Sequence, residues 1–157
     1  IIIRTNIYGM DPLPTKQSFA SWIISNLKNG KQILAAEDQF YNPVFADQLS
    51  QFILKMSKKE PEGIFNIACT DTVSRYEFAI NVCEIFGLDK SLVKKVKLAG
   101  LAEKFGWKAK RPKNTSLNTD KIGETFKLPS VKSSLEEFKK QYDKLERQKS
   151  SYSLASS

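Results

Sequence analysis

IIIRTNIYG, residues 1–9, is an apolar, β-branched run that passes into a loop at Asn6. Runs of this kind are typical of strands that are buried inside parallel sheets. The run therefore predicts a strand with neighbours on both sides. Because it starts inside an apolar stretch and without Met, we expect it to continue a larger protein.

Downstream of this strand, helical and strand patterns alternate. A capping box, Ser74-Arg75-Tyr76-Glu77, and a following Gly87 predict a helix with defined ends. The other predicted elements are helices over 18–29, 47–57 (with Asp47 as its cap) and 118–124, a helix from Ser133, a helical turn over 89–93, and strands over 32–35 and 64–68. This order predicts an α/β fold with a small mixed sheet and surrounding helices.

The composition is that of one globular domain. The chain has 157 residues, of which 41% are hydrophobic and 27% charged. Its apolar runs are far shorter than the ~20 residues that span a bilayer, and it has no secretory leader pattern. We expect a soluble, cytoplasmic protein without a membrane partner.

The chemistry open to this chain is limited by the residues it lacks. It has no His and only two Cys, which do not form a CxxC pair. A Ser-His-Asp or Cys-His nucleophile is therefore excluded within the chain, and a metal site has almost no ligands. Cys69 and Cys83 are interpreted as core residues, as are Trp22 and Trp107.

The net charge of +8 favours an anionic partner. Most of the excess lies in the stretch from Lys90 to Lys113, where nine Lys and Arg face one Glu. This segment is either a solvated surface or a phosphate-binding one. Nucleic acid is a disfavoured partner because no recognised binding motif or set of interleaved aromatic residues accompanies the charge.

Four separated blocks point to one family. They are IIIRTNIYG (1–9), DQFYNPVFADQLSQFI (38–53), GIFNIACTDTVSRYEFA (63–79) and RPKNTSLNTDKI (111–122). In order and spacing they resemble the C-terminal, sugar-binding half of extended short-chain dehydrogenase/reductases, above all the dTDP-4-dehydrorhamnose reductase branch. The resemblance covers roughly residues 1–140.

This resemblance implies that a full-length parent reduces dTDP-4-dehydro-L-rhamnose to dTDP-L-rhamnose with NADPH or NADH. The family's cofactor fingerprint is a glycine-rich strand-to-helix turn, and its catalytic motif is Tyr-x-x-x-Lys. Here the glycines stand singly, and none of the five Tyr has a Lys four residues later. We therefore expect no catalytic residue in this chain, no cofactor on the chain alone, and a missing N-terminal Rossmann portion as its partner.

The resemblance also suggests substrate-binding residues. Asn6 matches a position whose amide contacts substrate or cofactor, although a turn-stabilising role also explains it. Gln39 and Phe40 lie where the nucleotide base could be held, but Phe40 could equally pack in the core. Arg111 matches an arginine near the diphosphate, with an alternative role of ordering its loop against a carboxylate.

Other functions remain open at this point. The same scaffold also serves as a non-catalytic accessory subunit of methionine adenosyltransferase, and as nucleotide-sugar epimerases and dehydratases. A homodimer is compatible with all of them. We expect residues 1–148 to form the substrate-binding portion and residues 149–157 to be a disordered tail, because periodicity ends there.

Overall fold

Among the residues that the structure describes, the apolar opening stretch forms a strand that pairs on one side only. The computed structural model describes residues 1–10, 17–59 and 62–155. Within them the strands are β1 (Ile2–Thr5), β2 (Ile7–Tyr8), β3 (Ile33–Ala36), β4 (Phe40–Tyr41), β5 (Val44–Phe45), β6 (Ile64–Ile67), β7 (Val73–Ser74) and β8 (Val93–Val96). The α-helices are α1 (Phe19–Lys28), α2 (Ala46–Ser57), α3 (Arg75–Phe86), α4 (Leu98–Lys104), α5 (Asp120–Gly123) and α6 (Val131–Ala155).

The strands associate in four pairs. The pairs β1 with β6, β2 with β5 and β3 with β8 are parallel, whereas β4 with β7 is antiparallel. Helices α1 and α6 both pack against α3. This arrangement confirms the predicted α/β class with mixed strand pairing.

Local sequence explains the ends of α1 and α3. The Ser18 hydroxyl accepts a hydrogen bond from the backbone N–H of Ser21 at 3.2 Å and so caps α1. The predicted capping box is present at α3, where Ser74 and Glu77 exchange hydrogen bonds. Gly87 ends α3 with a φ of 65°, a conformation that favours glycine.

An aromatic cluster fills the core between these helices. The rings of Tyr8, Phe45, Phe78 and Phe138 lie with centroids 5.3–6.1 Å apart in four pairs, and all four residues are buried. Packing of this kind removes large apolar areas from water and adds favourable ring contacts. It holds β2, β5, α3 and α6 together.

Both cysteines lie in this core, as predicted, and are free thiols. The Cys69 thiol donates a hydrogen bond to the Pro43 carbonyl oxygen at 2.9 Å. Burial raises the pKa of Cys69 to about 12, so this thiol is protonated at neutral pH.

Two predictions about elements were wrong, and one strand was missed. Strand β1 alternates between exposed and half-buried residues instead of being buried, because among the described residues only β6 pairs with it. The predicted helical turn is confirmed as a 3-10 helix over Lys90–Leu92, whereas strand β8, which follows it and pairs with β3, was not predicted. Asp47 lies in the first turn of α2, and the cap position is Phe45.

The C-terminal segment also differs from the prediction. Helix α6 begins at Val131 and continues to Ala155, where a disordered tail was expected from residue 149. An established helix adds one hydrogen bond for each further residue, so it can extend beyond the apolar periodicity that signals it. The sequence also predicts a loop over residues 10–16 and a turn over residues 61–63, of which residues 11–16 and Pro61 lie outside the part of the chain that the structure describes. No helix within the described part of the chain is long and apolar enough to cross a membrane.

Candidate functional site

A groove of about 600 Å³ opens between α1, β3 and the segment that follows α4. This volume lies in the range of small-molecule sites. We call it the basic groove; its lining comprises the cationic residues Arg75, Lys104 and Arg111, the aromatic residues Phe19, Trp22, Phe105 and Trp107, the amides Gln17, Gln32 and Gln39, and the apolar residues Ile33, Leu34, Ala35, Ala36 and Leu101. The lining combines positive charge, ring faces and amide groups.

The two guanidinium groups of the basic groove lie against aromatic rings. The Arg111 Cζ atom is 3.9 Å from the centroid of Trp107. The Arg75 Cζ atom is 3.8 Å from the centroid of Tyr41 and 4.9 Å from that of Phe19. Stacking on a ring fixes a guanidinium while leaving N–H donors in its plane for a further ligand. Within the described residues, neither group forms an ion pair with a carboxylate.

Aromatic side chains form two stacked pairs along the groove. Phe19 and Trp22 of α1 lie with ring centroids 5.8 Å apart and planes inclined by 14°. Phe105 and Trp107, which follow α4, lie 6.2 Å apart and are inclined by 18°. A ring face of these pairs that neither a guanidinium nor the other ring covers can receive a flat heterocycle by stacking.

Trp22 and Trp107 therefore have a role that the core interpretation missed. Both pack against buried residues, as predicted, but both are only partly buried and line the basic groove. The sequence did not indicate that Trp22 and Trp107 line the same groove, because they lie on separate elements that are far apart in the chain.

The segment 111–115 collects all four residues predicted to bind substrate. The Gln39 Nε2 atom donates to the Pro112 carbonyl oxygen at 3.3 Å. Phe40 donates its backbone N–H to the Lys113 carbonyl at 2.7 Å and accepts one from Thr115 at 2.9 Å. The Asn6 Nδ2 atom donates to the Thr115 carbonyl at 2.8 Å.

These four residues differ in their relation to the basic groove. Gln39 and Arg111 line it, whereas Asn6 and Phe40 are not among its lining residues. Phe40 is 37% exposed, so packing in the core does not account for it. Asn6 and Phe40 hold the segment that carries Arg111.

Carboxylates neutralise part of the basic segment. Glu37 contacts Lys97 at 2.8 Å and Lys95 at 3.5 Å, and the hydrogen bond from Lys97 is the main reason that the pKa of Glu37 is lowered. Asp38 lies 3.6 Å from Lys113. These three lysines belong to a solvated surface with local ion pairs.

Asp38 also supports one wall of the groove. Its carboxylate accepts the backbone N–H of Leu98, the first residue of α4, at 2.6 Å. This hydrogen bond is the main cause of the lowered pKa of Asp38. Because α4 carries Leu101 and Lys104, the bond fixes the wall to which they belong.

The described residues do not fit a dinucleotide cofactor. Such a cofactor needs a glycine-rich turn that leads from a strand into a helix. The glycines with positive φ are Gly30, Gly63, Gly87 and Gly106, and each stands alone after a helix or before a strand. Among the described residues, no group of three or more His, Cys, Asp or Glu could hold a metal ion.

Sequence reasoning missed Arg75, which lines the basic groove. Arg75 belongs to the capping box over residues 74–77, which was interpreted only as the start of a helix. One signal was available, because a cation in the first turn of a helix is disfavoured by the helix dipole and calls for another explanation.

Comparison with known proteins gives a family and a fold. The family described as RmlD substrate binding domain matches residues 1–144. Spore coat polysaccharide biosynthesis protein SpsK of Bacillus subtilis is 26% identical over 124 residues, which are 78% of this chain and 40% of that protein.

Two solved structures have the same fold. A dTDP-4-dehydrorhamnose reductase from Clostridium acetobutylicum matches with a TM-score of 0.76 and 26% identity over 90% of this chain and 48% of its own. The Bacillus anthracis enzyme, solved in complex with NADP, matches with a TM-score of 0.76 and 24% identity over 89% of this chain and 48% of its own. The chain thus spans about half the length of these extended reductases.

Proposed function

We propose that this chain, which belongs to the RmlD substrate binding domain family, forms the substrate lobe of a dTDP-4-dehydrorhamnose reductase. The reaction is the reduction of dTDP-4-dehydro-L-rhamnose to dTDP-L-rhamnose with NADPH or NADH. The observation that carries the proposal is the basic groove, where Gln39 and Arg111 meet two stacked aromatic pairs.

The chemistry of the groove suits a nucleotide sugar. A planar base can stack on the ring faces, and a guanidinium can bind a diphosphate through two parallel hydrogen bonds. The Gln39 side chain supplies a donor and an acceptor for a base edge or a sugar hydroxyl. No histidine or metal is needed for recognition of this kind.

The four predicted site residues divide between binding and positioning in this proposal. Arg111 binds the diphosphate and Gln39 binds a polar group of the same ligand. Asn6 and Phe40 act on the segment 111–115 through their hydrogen bonds to residues 113 and 115. They set the place of Arg111 without touching the ligand themselves.

In this proposal, hydride transfer takes place on an N-terminal Rossmann portion of the full-length parent, which would pack against this lobe. Its cofactor would be held there, since the described residues offer no dinucleotide cradle. A candidate contact is the face formed by Ile2 and Ile64, neighbours in register across β1 and β6 that are 59% and 44% exposed.

Association of two copies of this chain stays a prediction.

The test is an NADPH oxidation assay with dTDP-4-dehydro-L-rhamnose, performed on the protein at its natural length. We expect turnover in the wild type. In Arg111→Gln, KM should rise by about 10- to 100-fold with a smaller change in kcat, because ground-state binding of the diphosphate is lost. Arg147→Gln is the matched control, since Arg147 is exposed on α6 and does not line the groove.

Three outcomes would contradict the proposal. Binding of dTDP without turnover would favour a non-catalytic binding subunit. Conversion of a nucleotide sugar without net oxidation of NADPH would favour an epimerase or a dehydratase. An unchanged KM in Arg111→Gln would remove Arg111 from the binding site.

A further inference from the structure

Arg75 lies in the same groove as Arg111 but comes from a different element. It is the first residue of α3, and it is half-buried with its guanidinium over the rings of Tyr41 and Phe19. Arg111 lies beyond α4 and stacks on Trp107. The groove thus receives two ring-supported guanidinium groups from independent parts of the chain.

The position of Arg75 is unfavourable for a cation that has only a structural role. The first turn of a helix carries a partial positive charge, which disfavours Arg and Lys there. Within the described residues, no carboxylate lies within ion-pair distance of Arg75 to offset this. An anionic ligand in the groove would meet both the guanidinium and the favourable end of the helix dipole.

Gln39 connects the two arginines. Its backbone carbonyl accepts the N–H of Arg75 at 2.9 Å, and its side chain donates to Pro112, the neighbour of Arg111, at 3.3 Å. A single residue therefore bonds both to the backbone at the start of α3 and to the segment 111–115, and so connects the two backbone segments that carry the arginines. Preorganised charges bind an anion with a smaller loss of conformational entropy.

We propose that Arg75 is a second phosphate-binding residue of the basic groove, which together with Arg111 selects nucleoside diphosphates over nucleoside monophosphates. This rests on the proposed function, because it concerns the nucleotide of the same ligand. Two guanidinium groups match the two phosphates of a diphosphate, and each can bind in a bidentate manner. A monophosphate leaves one of them without a partner.

The experiment measures the affinities of thymidine, dTMP and dTDP by isothermal titration calorimetry. It uses the natural-length protein and its variants Arg75→Gln, Arg75→Lys and Arg147→Gln. In the wild type we expect dTDP to bind at least 10-fold more tightly than dTMP. Arg75→Gln should weaken dTDP binding by about 10- to 100-fold, the loss expected for a charge-assisted bidentate contact.

The pattern across ligands separates binding from folding. Thymidine affinity should stay within about 2-fold in Arg75→Gln, since the base does not contact this side chain. Arg75→Lys should recover part of the dTDP affinity, because lysine keeps the positive charge but lacks the planar guanidinium that binds a phosphate through two hydrogen bonds. Arg147→Gln should match the wild type for all three ligands.

Equal losses for thymidine and dTDP in Arg75→Gln would overturn the inference, since they would indicate a structural role. Unchanged dTDP affinity in that variant would overturn it as well, while leaving the groove itself in place. A wild type that binds neither dTMP nor dTDP would instead contradict the proposed function.

Discussion

Ser134 shows how one polar side chain can organise the core. It is fully buried, and its hydroxyl oxygen accepts hydrogen bonds from the Tyr8 hydroxyl at 2.9 Å and the Phe45 backbone N–H at 3.0 Å. The same hydroxyl donates to the Gln48 side chain at 2.7 Å. Four elements, β2, β5, α2 and α6, thus meet at one hydroxyl. Burial raises the pKa of Tyr8 far above its ordinary value, so the phenol stays a hydrogen-bond donor.

Ser134→Ala should lower the free energy of unfolding by about 3 kcal/mol, because the Tyr8 hydroxyl and the Phe45 N–H would both lose their partner while buried. Urea denaturation measures this change. Ser133→Ala is the matched control, since Ser133 is exposed on the same helix and bonds only locally with Ser130. Equal effects of the two substitutions would show that the buried network contributes little.

At the scale of elements, the segment 111–115 positions the site although it has almost no regular structure. It forms one parallel bridge, between Asn114 and Phe40. Its order comes from contacts with residues far away in the chain, such as the bond from Gln39 to Pro112 across 73 positions. The proposed ligand-binding role of Arg111 therefore depends on β4 and on the loop after β1.

Helix α4 depends in a similar way on Asp38. Asp38→Ala removes the acceptor for the Leu98 N–H, so we expect faster hydrogen exchange over residues 98–104 with a small change in global stability. Hydrogen exchange with mass spectrometry measures this locally. Unchanged protection of this segment would mean that the Asp38 carboxylate does not hold the groove wall.

The same bond has a defined pH dependence. The folded pKa of Asp38 is lowered, so the carboxylate stabilises the fold above its ordinary pKa of 3.8, and this contribution is lost as the pH falls through the folded pKa. Protection factors of residues 98–104 should therefore be constant from pH 7 to 5 and decrease below about pH 4. A decrease already near pH 6 would contradict this assignment.

The elements that the sequence predicts well are those with local signals. The capping box at Ser74 and the glycine at 87 lie within a few residues of the backbone groups that they satisfy, so the pattern alone indicates α3. Strand β8 lacked such a signal, because its pairing with β3 is a contact between distant parts of the chain. That Arg75 and Arg111 line the same groove could not be predicted for the same reason.

Resemblance supplied what local patterns could not. It selected Gln39 and Arg111, which line one groove, and it selected Asn6 and Phe40, which do not line the groove but bond to the segment 111–115. It did not select Arg75, Trp22 or Trp107. Those residues come from α1, α3 and the segment after α4, so only the folded structure shows that they line one groove.

At the scale of the molecule, apolar residues remain exposed on the strand pair β1 and β6. Ile2 and Ile64 are neighbours in register on this pair, and Ile7 of β2 is 59% exposed. Exposed apolar residues on a strand edge are typical of surfaces that contact another segment. This agrees with the proposal that a Rossmann portion packs there.

Ile2→Lys tests this contact at two chain lengths. In the 157-residue chain, where Ile2 is 59% exposed, we expect a change in unfolding free energy within about 0.5 kcal/mol. In the natural-length protein the same substitution should cost about 2 kcal/mol or more, because it would bury a charge without a partner. Leu54→Lys, at a 65% exposed position on α2, should change stability equally in both. Equal effects of Ile2→Lys at both lengths would place the contact elsewhere.

The basic groove is proposed to hold a nucleoside diphosphate. The most direct measurement is a crystal structure of the natural-length protein with bound dTDP. We predict that the thymine lies against the aromatic faces and that the diphosphate contacts the guanidinium groups of Arg75 and Arg111. A structure with dTDP bound away from these residues, or with the diphosphate directed out of the groove, would contradict the proposal that the basic groove binds a nucleoside diphosphate.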